Sequence, residues 1–299
     1  MKSRTQMIIS MAIFGTIGIV TRNIDLGASE KSLFRAIIAL AALLLFQAST
    51  KSLLNLKEAK KDLLKLFLSG AAMGINWILF FAAQDNTSIA LATLSYYFAP
   101  VIVMIVSPII FKERFKAKKI ICFVMSTLGL ILMVGFSNEG GSDNLKGILF
   151  GIGAAVFYAI VVLINKSTKS VTGINRTVIQ LSSSIIVLLP YVLLKEGFHI
   201  ASLDSKGILF LLVLGIVYTA APYCLYFSSL KALDGQEVAI LSYIDPLVAV
   251  IFSVTLLDKN NILTPIQLAG GAAILIFTLI NELKLEKKNK LSELEKERV

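Results

Sequence analysis

Hydrophobic residues run along this chain in ten stretches of about 17–24 residues, and short connectors hold most of the charged positions. The stretches fall at roughly 6–22, 32–49, 64–83, 88–111, 119–136, 147–165, 175–194, 207–230, 237–257 and 265–281. A helix rises about 1.5 Å per residue, so about 20 apolar residues cross a hydrocarbon layer of roughly 30 Å. Strands of a membrane barrel would alternate polar and apolar residues, which these stretches do not. The pattern predicts an all-α integral membrane protein with ten transmembrane helices.

Two stretches are versions of each other. Leu91–Phe111 (LATLSYYFAPVIVMIVSPIIF) and Glu237–Leu257 (EVAILSYIDPLVAVIFSVTLL) both carry a tyrosine three residues before a proline. A shift of 146 residues pairs Phe81 with Phe227, Tyr97 with Tyr243, Pro100 with Pro246, Ile105 with Ile251 and Ser107 with Ser253. Proline in a membrane helix frees a backbone carbonyl, which only protein or a wet cavity can satisfy. Matching breaks in two halves point to the binding site of a carrier, with Pro100 and Pro246 as hinges. Five spans per half is an odd number, so the halves lie upside down to each other. The expected organisation is a five-helix repeat over 4–136, a connector at 137–146, a second repeat over 147–281 and a charged tail at 282–299. The Gly/Ser/Asp-rich run Ser137–Asn144 forms the joint, and the tail (KLEKKNKLSELEKERV from Lys284) reads as a solvated cytoplasmic helix.

Composition agrees: 56% hydrophobic and 16% charged residues, with a mean hydropathy of +0.80, do not suit a soluble domain. The net charge of +10 would suggest nucleic acid, but its placement points to a bilayer. With the N-terminus inside, 22 lysines and arginines fall on that side and seven, including Arg22, Lys31 and Arg35, on the other. Positive connectors stay in the cytoplasm, so both termini are expected there, in a multi-pass protein of the cytoplasmic membrane. The N-terminal apolar run is long and no small-x-small cleavage site follows, so it reads as a retained first span. Cys122 and Cys224 lie in apolar spans without CxxC spacing, and His199 lacks metal partners, so neither a metal nor a histidine triad is expected. Gly70 with Gly74 and Gly147 with Gly151 have the spacing of tight helix packing.

The pattern resembles the drug/metabolite transporter superfamily, specifically its EamA-type members, over nearly the whole chain. Ala90–Arg114, where Pro100 is followed after a span by Lys112, Glu113 and Arg114, carries most of the likeness. In the second half the corresponding acid, Asp258, is one residue out of register and has no basic follower. Phe14-Gly15 is similar to the family's aromatic–glycine pair, where tryptophan is more usual. Arg35 matches an arginine often seen early in the second span, and Gln180 takes the comparable place in the seventh. The resemblance implies ten helices in two inverted repeats, a central cavity, alternating access, a small-molecule substrate and no cofactor. Such carriers move amino acids, nucleosides, sugars, choline-like amines and other metabolites, more often outward than inward.

Asp245 is the sharpest candidate residue. It lies about eight residues, some 12 Å, into the ninth span. An acid there is expensive unless it faces a cavity or a partner, and it suits proton coupling or recognition of a cationic group. Its counterpart in the first half is Ala99. Tyr97 and Tyr243 stand beside the breaks. Trp77, Phe80, Tyr96, Tyr158, Tyr218, Tyr223 and Tyr226 add rings that hold a planar or cationic solute by stacking and cation–π contact. Asn76 adds an amide, for substrate or for helix bonding. Arg35 reads first as snorkelling or pairing with Asp25 or Glu30; facing the cavity, it would meet a substrate carboxylate. Glu113 and Asp258 read as helix caps or gate salt bridges. The leading expectation is export of an amino acid or related amine, with uptake of a quaternary amine such as choline as the alternative. A nucleoside or drug exporter ranks below both, and a membrane enzyme, receptor or channel lower still, since no nucleophile–base constellation is visible.

Overall fold

The computed structural model describes residues 3–51, 60–87, 89–134, 144–168, 170–171, 173–195, 197–252 and 264–296. Most of the expected joint, Ser253, Asp258, and Lys2, Lys57, Lys169, Lys259 and Arg298 of the charge count lie outside them. Among the described residues the chain is helical and without strands. The first span is α1 (Ser3–Gly15) with α2 (Ile17–Thr21), the second α3 (Ala28–Ser49) and the third α4 (Leu63–Asn86). The fourth divides into α5 (Ile89–Tyr96) and α6 (Phe98–Phe111), and the fifth is α7 (Ala117–Val134). The sixth and seventh are α8 (Asn144–Ser167) and α9 (Gly173–Lys195). The eighth runs through α10 (Ser205–Gly215), a π turn (Ile216–Ala220) and α11 (Ala221–Leu230). The ninth divides into α12 (Gly235–Leu241) and α13 (Ile244–Phe252), and α14 (Pro265–Lys296) carries the tenth.

Among the described residues, eight helical stretches are long and apolar enough to cross a bilayer. Pro265–Asn281 is a shorter apolar stretch, and α7 has 18 residues. Large side chains such as Leu45, Leu64 and Leu194 are exposed on the outside of the bundle, as a lipid-facing surface requires.

Local chemistry sets the helix ends. Lys112 takes a left-handed conformation (φ 53°) and closes α6, with the Glu113 amide donating to the Pro108 carbonyl. Thr264 and Gln267 form a reciprocal box at the start of α14: the Gln267 Oε1 accepts from the Thr264 amide at 3.0 Å, and the Thr264 hydroxyl accepts from the Gln267 amide at 3.3 Å. Pro222 removes one donor from the eighth span. There the Thr219 hydroxyl donates to the Leu214 carbonyl at 2.8 Å, inside the wide π turn.

The packing has a two-fold character. Span one packs on eight and six on three; one on nine and six on four; two on eight and seven on three; and two–seven, four–nine and five–ten meet directly. Exchanging each span for its equivalent in the other half converts every one of these contacts into another of the set. That is the contact map of two repeats related by an axis, and an odd number of spans per repeat makes the copies antiparallel.

Candidate functional site

The two divided spans meet at mid-depth. Tyr97 is the one non-helical residue between α5 and α6, and Ser242 and Tyr243 separate α12 from α13. Pro100 and Pro246 are each the third residue of the helix that follows. A first-turn position has no intrahelical use for an N–H, so each proline starts a new helix at no hydrogen-bonding cost. Next to both breaks is a cavity of about 100 Å³. One buried water needs roughly 10–15 Å³, so several waters or the polar part of a small solute fit.

The first span contributes Met11 and Phe14 to the wall, and the α5–α6 break contributes Tyr96, Tyr97, Ala99 and Pro100. Tyr158 comes from α8, Tyr223 and Tyr226 from α11, and Ser242 and Asp245 from the α12–α13 break. The Tyr97 hydroxyl donates to the Asp245 carboxylate at 3.1 Å, tying one break to the other across the halves. The Tyr226 hydroxyl donates to that of Tyr158 at 2.7 Å. Ring neighbours continue around the space: Phe14 with Tyr223 at 5.0 Å, Tyr96 with Tyr97 at 5.6 Å and Tyr96 with Tyr158 at 5.8 Å. Among the described residues, Asp245 is the only carboxylate on this wall.

Gly15 sets how closely α1 approaches the acid. A β-carbon there would stand 2.5 Å from the Asp245 carbonyl oxygen and 2.8 Å from the Val248 Cβ, so the aromatic–glycine pair places Phe14 on the wall with its helix against the α13 backbone. Gly70 packs the same way on Gln180 of α9, and Gly151 on Ser95.

Of the residues singled out in the sequence, Asp245, Phe14, Tyr96, Tyr97, Ala99, Tyr158, Tyr223, Tyr226 and Pro100 line the cavity, and the other candidate site residues do not. Pro246 is buried and is not part of the wall. Tyr243 is fully buried, paired with Thr127 at 2.7 Å and stacked near Phe123 at 5.8 Å. The Asn76 amide donates to the Ala154 carbonyl at 2.7 Å, the helix-bonding reading. Phe80 backs Tyr96 at 4.6 Å, and Tyr218 packs near Val20 and Leu214, away from the cavity. Trp77 lies one ring behind Tyr223, at 6.1 Å. Arg35 pairs with neither Asp25 nor Glu30. Its guanidinium lies over the Trp77 ring at 4.2 Å, while Glu30 accepts from the His199 amide at 2.6 Å.

Met11 and Ser242 were not read from the sequence. Ser242 stands three residues before Asp245, a spacing that puts both on one helical face, and that signal was available. Also unforeseen is a charged network at the end of the bundle that the lysine and arginine count assigns to the cytoplasm. Lys119 reaches Asp234 at 2.9 Å and Glu237 at 3.5 Å, and Arg4 reaches Glu237 at 2.9 Å. Glu113 pairs with Lys166 at 2.8 Å and accepts from the Gly235 amide, which combines the cap and the salt bridge expected of it. Cys122 and Cys224 are free thiols.

Comparison with known proteins gives a consistent picture. A solved crystal structure superposes with a TM-score of 0.80 at 14% identity, over 93% of this chain and 96% of that one, a likeness of fold. The chain is similar to the threonine/homoserine exporter RhtA of Escherichia coli, 25% identical over 242 residues, covering 81% of this chain and 78% of the exporter. It is similar to a probable amino-acid metabolite efflux pump of Salmonella typhimurium, at 28% over 213 residues, covering 68% and 70%. An uncharacterized transporter of Archaeoglobus fulgidus is 29% identical over 277 residues, covering 92% and 94%. The sequence model of the EamA-like transporter family matches residues 3–135 and again residues 145–282. With both halves matched and the interlocked bundle in place, this multi-pass membrane protein belongs to the EamA-like transporter family.

Proposed function

We propose that this protein exports a small amine-bearing metabolite of the amino-acid class across the cytoplasmic membrane by alternating access, with Asp245 holding the ammonium group. The supporting observation is one carboxylate on a wall that otherwise presents six aromatic rings, Phe14, Tyr96, Tyr97, Tyr158, Tyr223 and Tyr226. An acid at mid-bilayer costs at least about 2.5 kcal/mol by insertion measurements, and is expected where it serves a pathway. The ring faces add cation–π attraction of about 0.5–2 kcal/mol. Tyr97, Tyr158 and Tyr223 complete the contact set, and the same carboxyl is where a coupling proton would exchange with substrate. The outward direction and the amino-acid class lean on the exporters that the chain resembles.

Reconstituted vesicles test this with labelled L-threonine and L-homoserine. Saturable counterflow is expected. Asp245→Asn should lower it at least about tenfold, the loss of one charge-assisted contact, with the melting transition retained. Unchanged counterflow in that variant removes Asp245 from the site. A second reading, uptake of a quaternary amine, is favoured by the aromatic ring count around one acid, the composition of a cation cage. Counterflow of labelled choline that outpaces both amino acids would establish it.

A further inference from the structure

We infer that Arg35 is the carboxylate anchor of this site, so that the protein selects a dipolar solute, its ammonium at Asp245 and its carboxylate at Arg35, over a simple amine. The inference rests on the function proposed above and narrows its substrate class.

Arg35 is the eighth residue of α3, about 10 Å along the helix and within hydrocarbon depth. Among the described residues its guanidinium makes no hydrogen bond or ion pair, and the Nε is buried without a partner. What it has instead is the Trp77 ring at 4.2 Å. The fully buried Arg176 also has an unpartnered Nε, but both its terminal nitrogens are hydrogen-bonded. Arg176 donates to the carbonyls of Asn165 at 2.9 Å, Thr168 at 2.7 Å, Phe227 at 3.2 Å and Val171 at 3.3 Å. Gln180, in the comparable place of the second half, is also satisfied: its Oε1 accepts from Ser69 at 2.7 Å and from Asn165 at 2.9 Å. Both terminal nitrogens of Arg176 and the Gln180 amide are thus matched with partners, whereas the half-buried Arg35 is a cation held by a ring.

Its position gives the missing partner a route. The ring under the guanidinium, Trp77, is a neighbour of Tyr223, and Tyr223 lines the cavity. Trp77 is thus a neighbour of both, 4.2 Å from the Arg35 guanidinium and 6.1 Å from the Tyr223 ring. A half-buried charge within a membrane span gains from a counter-charge, and a planar guanidinium meets a carboxylate with two parallel charge-assisted hydrogen bonds. A solute with an anionic group beside its ammonium supplies that counter-charge. Choline does not. Asp245 and Arg35 together thus discriminate a zwitterion from a cation, which neither does alone.

Trp77 is the only tryptophan of the chain, so its fluorescence reports on this corner of the site. The purified protein is titrated with L-threonine and with L-threonine amide, which keeps the ammonium and shape but loses the negative charge. The wild type should bind threonine roughly 10- to 100-fold more tightly than the amide, the span of one charged hydrogen-bonded contact. Arg35→Gln should erase that ratio by weakening threonine while leaving the amide unchanged, and Arg35→Lys should keep part of it, since the charge stays and the planar fork goes. Equal wild-type affinities, or a ratio that survives Arg35→Gln, would show Arg35 to be a brace for Trp77 and overturn the assignment. The wild-type ratio and the lysine variant decide the matter even if Arg35→Gln does not fold. Binding of neither ligand by the wild type takes away the amino-acid reading itself, and the anchor with it.

Discussion

Tyr97 and Tyr243 occupy matching positions 146 residues apart, and only Tyr97 faces the cavity. The reason lies in two substitutions between the halves. Asp245 stands in front of Tyr97, and the residue matching Asp245 in the first half is Ala99; Thr127 stands behind Tyr243, and the residue matching Thr127 in the second half is Ala273. Each phenol turns to the one polar partner its surroundings offer, because a buried hydroxyl without a partner is costly. Tyr97→Phe is therefore expected to weaken threonine binding several-fold with the fold intact. Tyr243→Phe should cost about 1 kcal/mol of stability and leave affinity unchanged. Titration and thermal melts of the pair separate the roles. The first span offers a similar contrast. Gly15→Ala drives a methyl group into the Asp245 carbonyl and is expected to destabilise by about 1–3 kcal/mol and to abolish counterflow. Gly18→Ala, with nothing within 4 Å of the new carbon, should melt like the wild type or slightly above it. The residue types at the site were legible in the sequence: an acid at mid-span and tyrosines beside a break. Which way each ring turns was not, since it depends on what the opposite repeat presents.

At the scale of elements, the prolines were readable as interruptions, but the form of the break was not. Helix periodicity gives one continuous fourth span, whereas the chain ends α5 at Tyr96 and restarts at Phe98. Pro100 and Pro246 fit first turns, so the residue released from the helix is the tyrosine three positions earlier. Ser242, within such a break, and Asp245, in the helix that follows it, both reach the cavity. Alanine at both proline positions restores an N–H within reach of the Tyr96 and Ser242 carbonyls and favours an unbroken helix. The double variant Pro100→Ala/Pro246→Ala is expected to slow counterflow several-fold, with a smaller change in threonine affinity, because the loss falls on the moving elements. Parallel measurement of vesicle flux and Trp77 titration checks this, and equal losses in both would assign the prolines to binding rather than motion. The π turn before Pro222 follows the same physics, with Thr219 satisfying a carbonyl that the wide turn leaves over, and it sets the register of Tyr223 and Tyr226. Nothing in hydropathy marks a π turn, so this part of the wall was invisible to the pattern.

For the molecule as a whole, the two-fold relation carries the helices but not the charges. At the same offset the partners of Lys119, Lys166, Asp234 and Glu237 are Pro265, Val20, Ser88 and Leu91, none of them charged, and that of Glu113 is Lys259, of opposite sign. The network they form is confined to one end of the bundle, where it ties the start of α1, the ends of α6 and α8, the start of α7 and the α11–α12 connector together. Connector charge was read from the sequence for orientation alone, because which acid meets which base depends on helix ends distant in the chain. Lys119 and Glu237 are nearly buried, with side chains 3% and 6% exposed, so this contact is screened little by salt. Lys119→Gln leaves Asp234 without its partner and Glu237 to Arg4, and should lower the melting temperature and open this end of the cavity. A cysteine at Ser242 would then react faster with a membrane-impermeant thiol reagent added on the cytoplasmic side than in the unaltered background. Acidity gives a second handle, with a definite sign. Burial pushes the Asp234 carboxyl up, but the hydrogen bond and charge of Lys119, with Lys166 and Lys116 behind it, outweigh that and hold it below its ordinary value of 3.8. A depressed carboxyl contributes stability that is complete above the unfolded value and is lost as pH falls through the folded one. The melting difference between wild type and Asp234→Asn should therefore stay constant from pH 7 to about 5 and close only below about 4. Because 46% of the Asp234 side chain is exposed, the difference should be small and should shrink in salt, whereas that of Lys119→Gln should persist. A difference that vanished already between pH 7 and 6 would mean that Asp234 does not hold its charge against Lys119 in the folded protein.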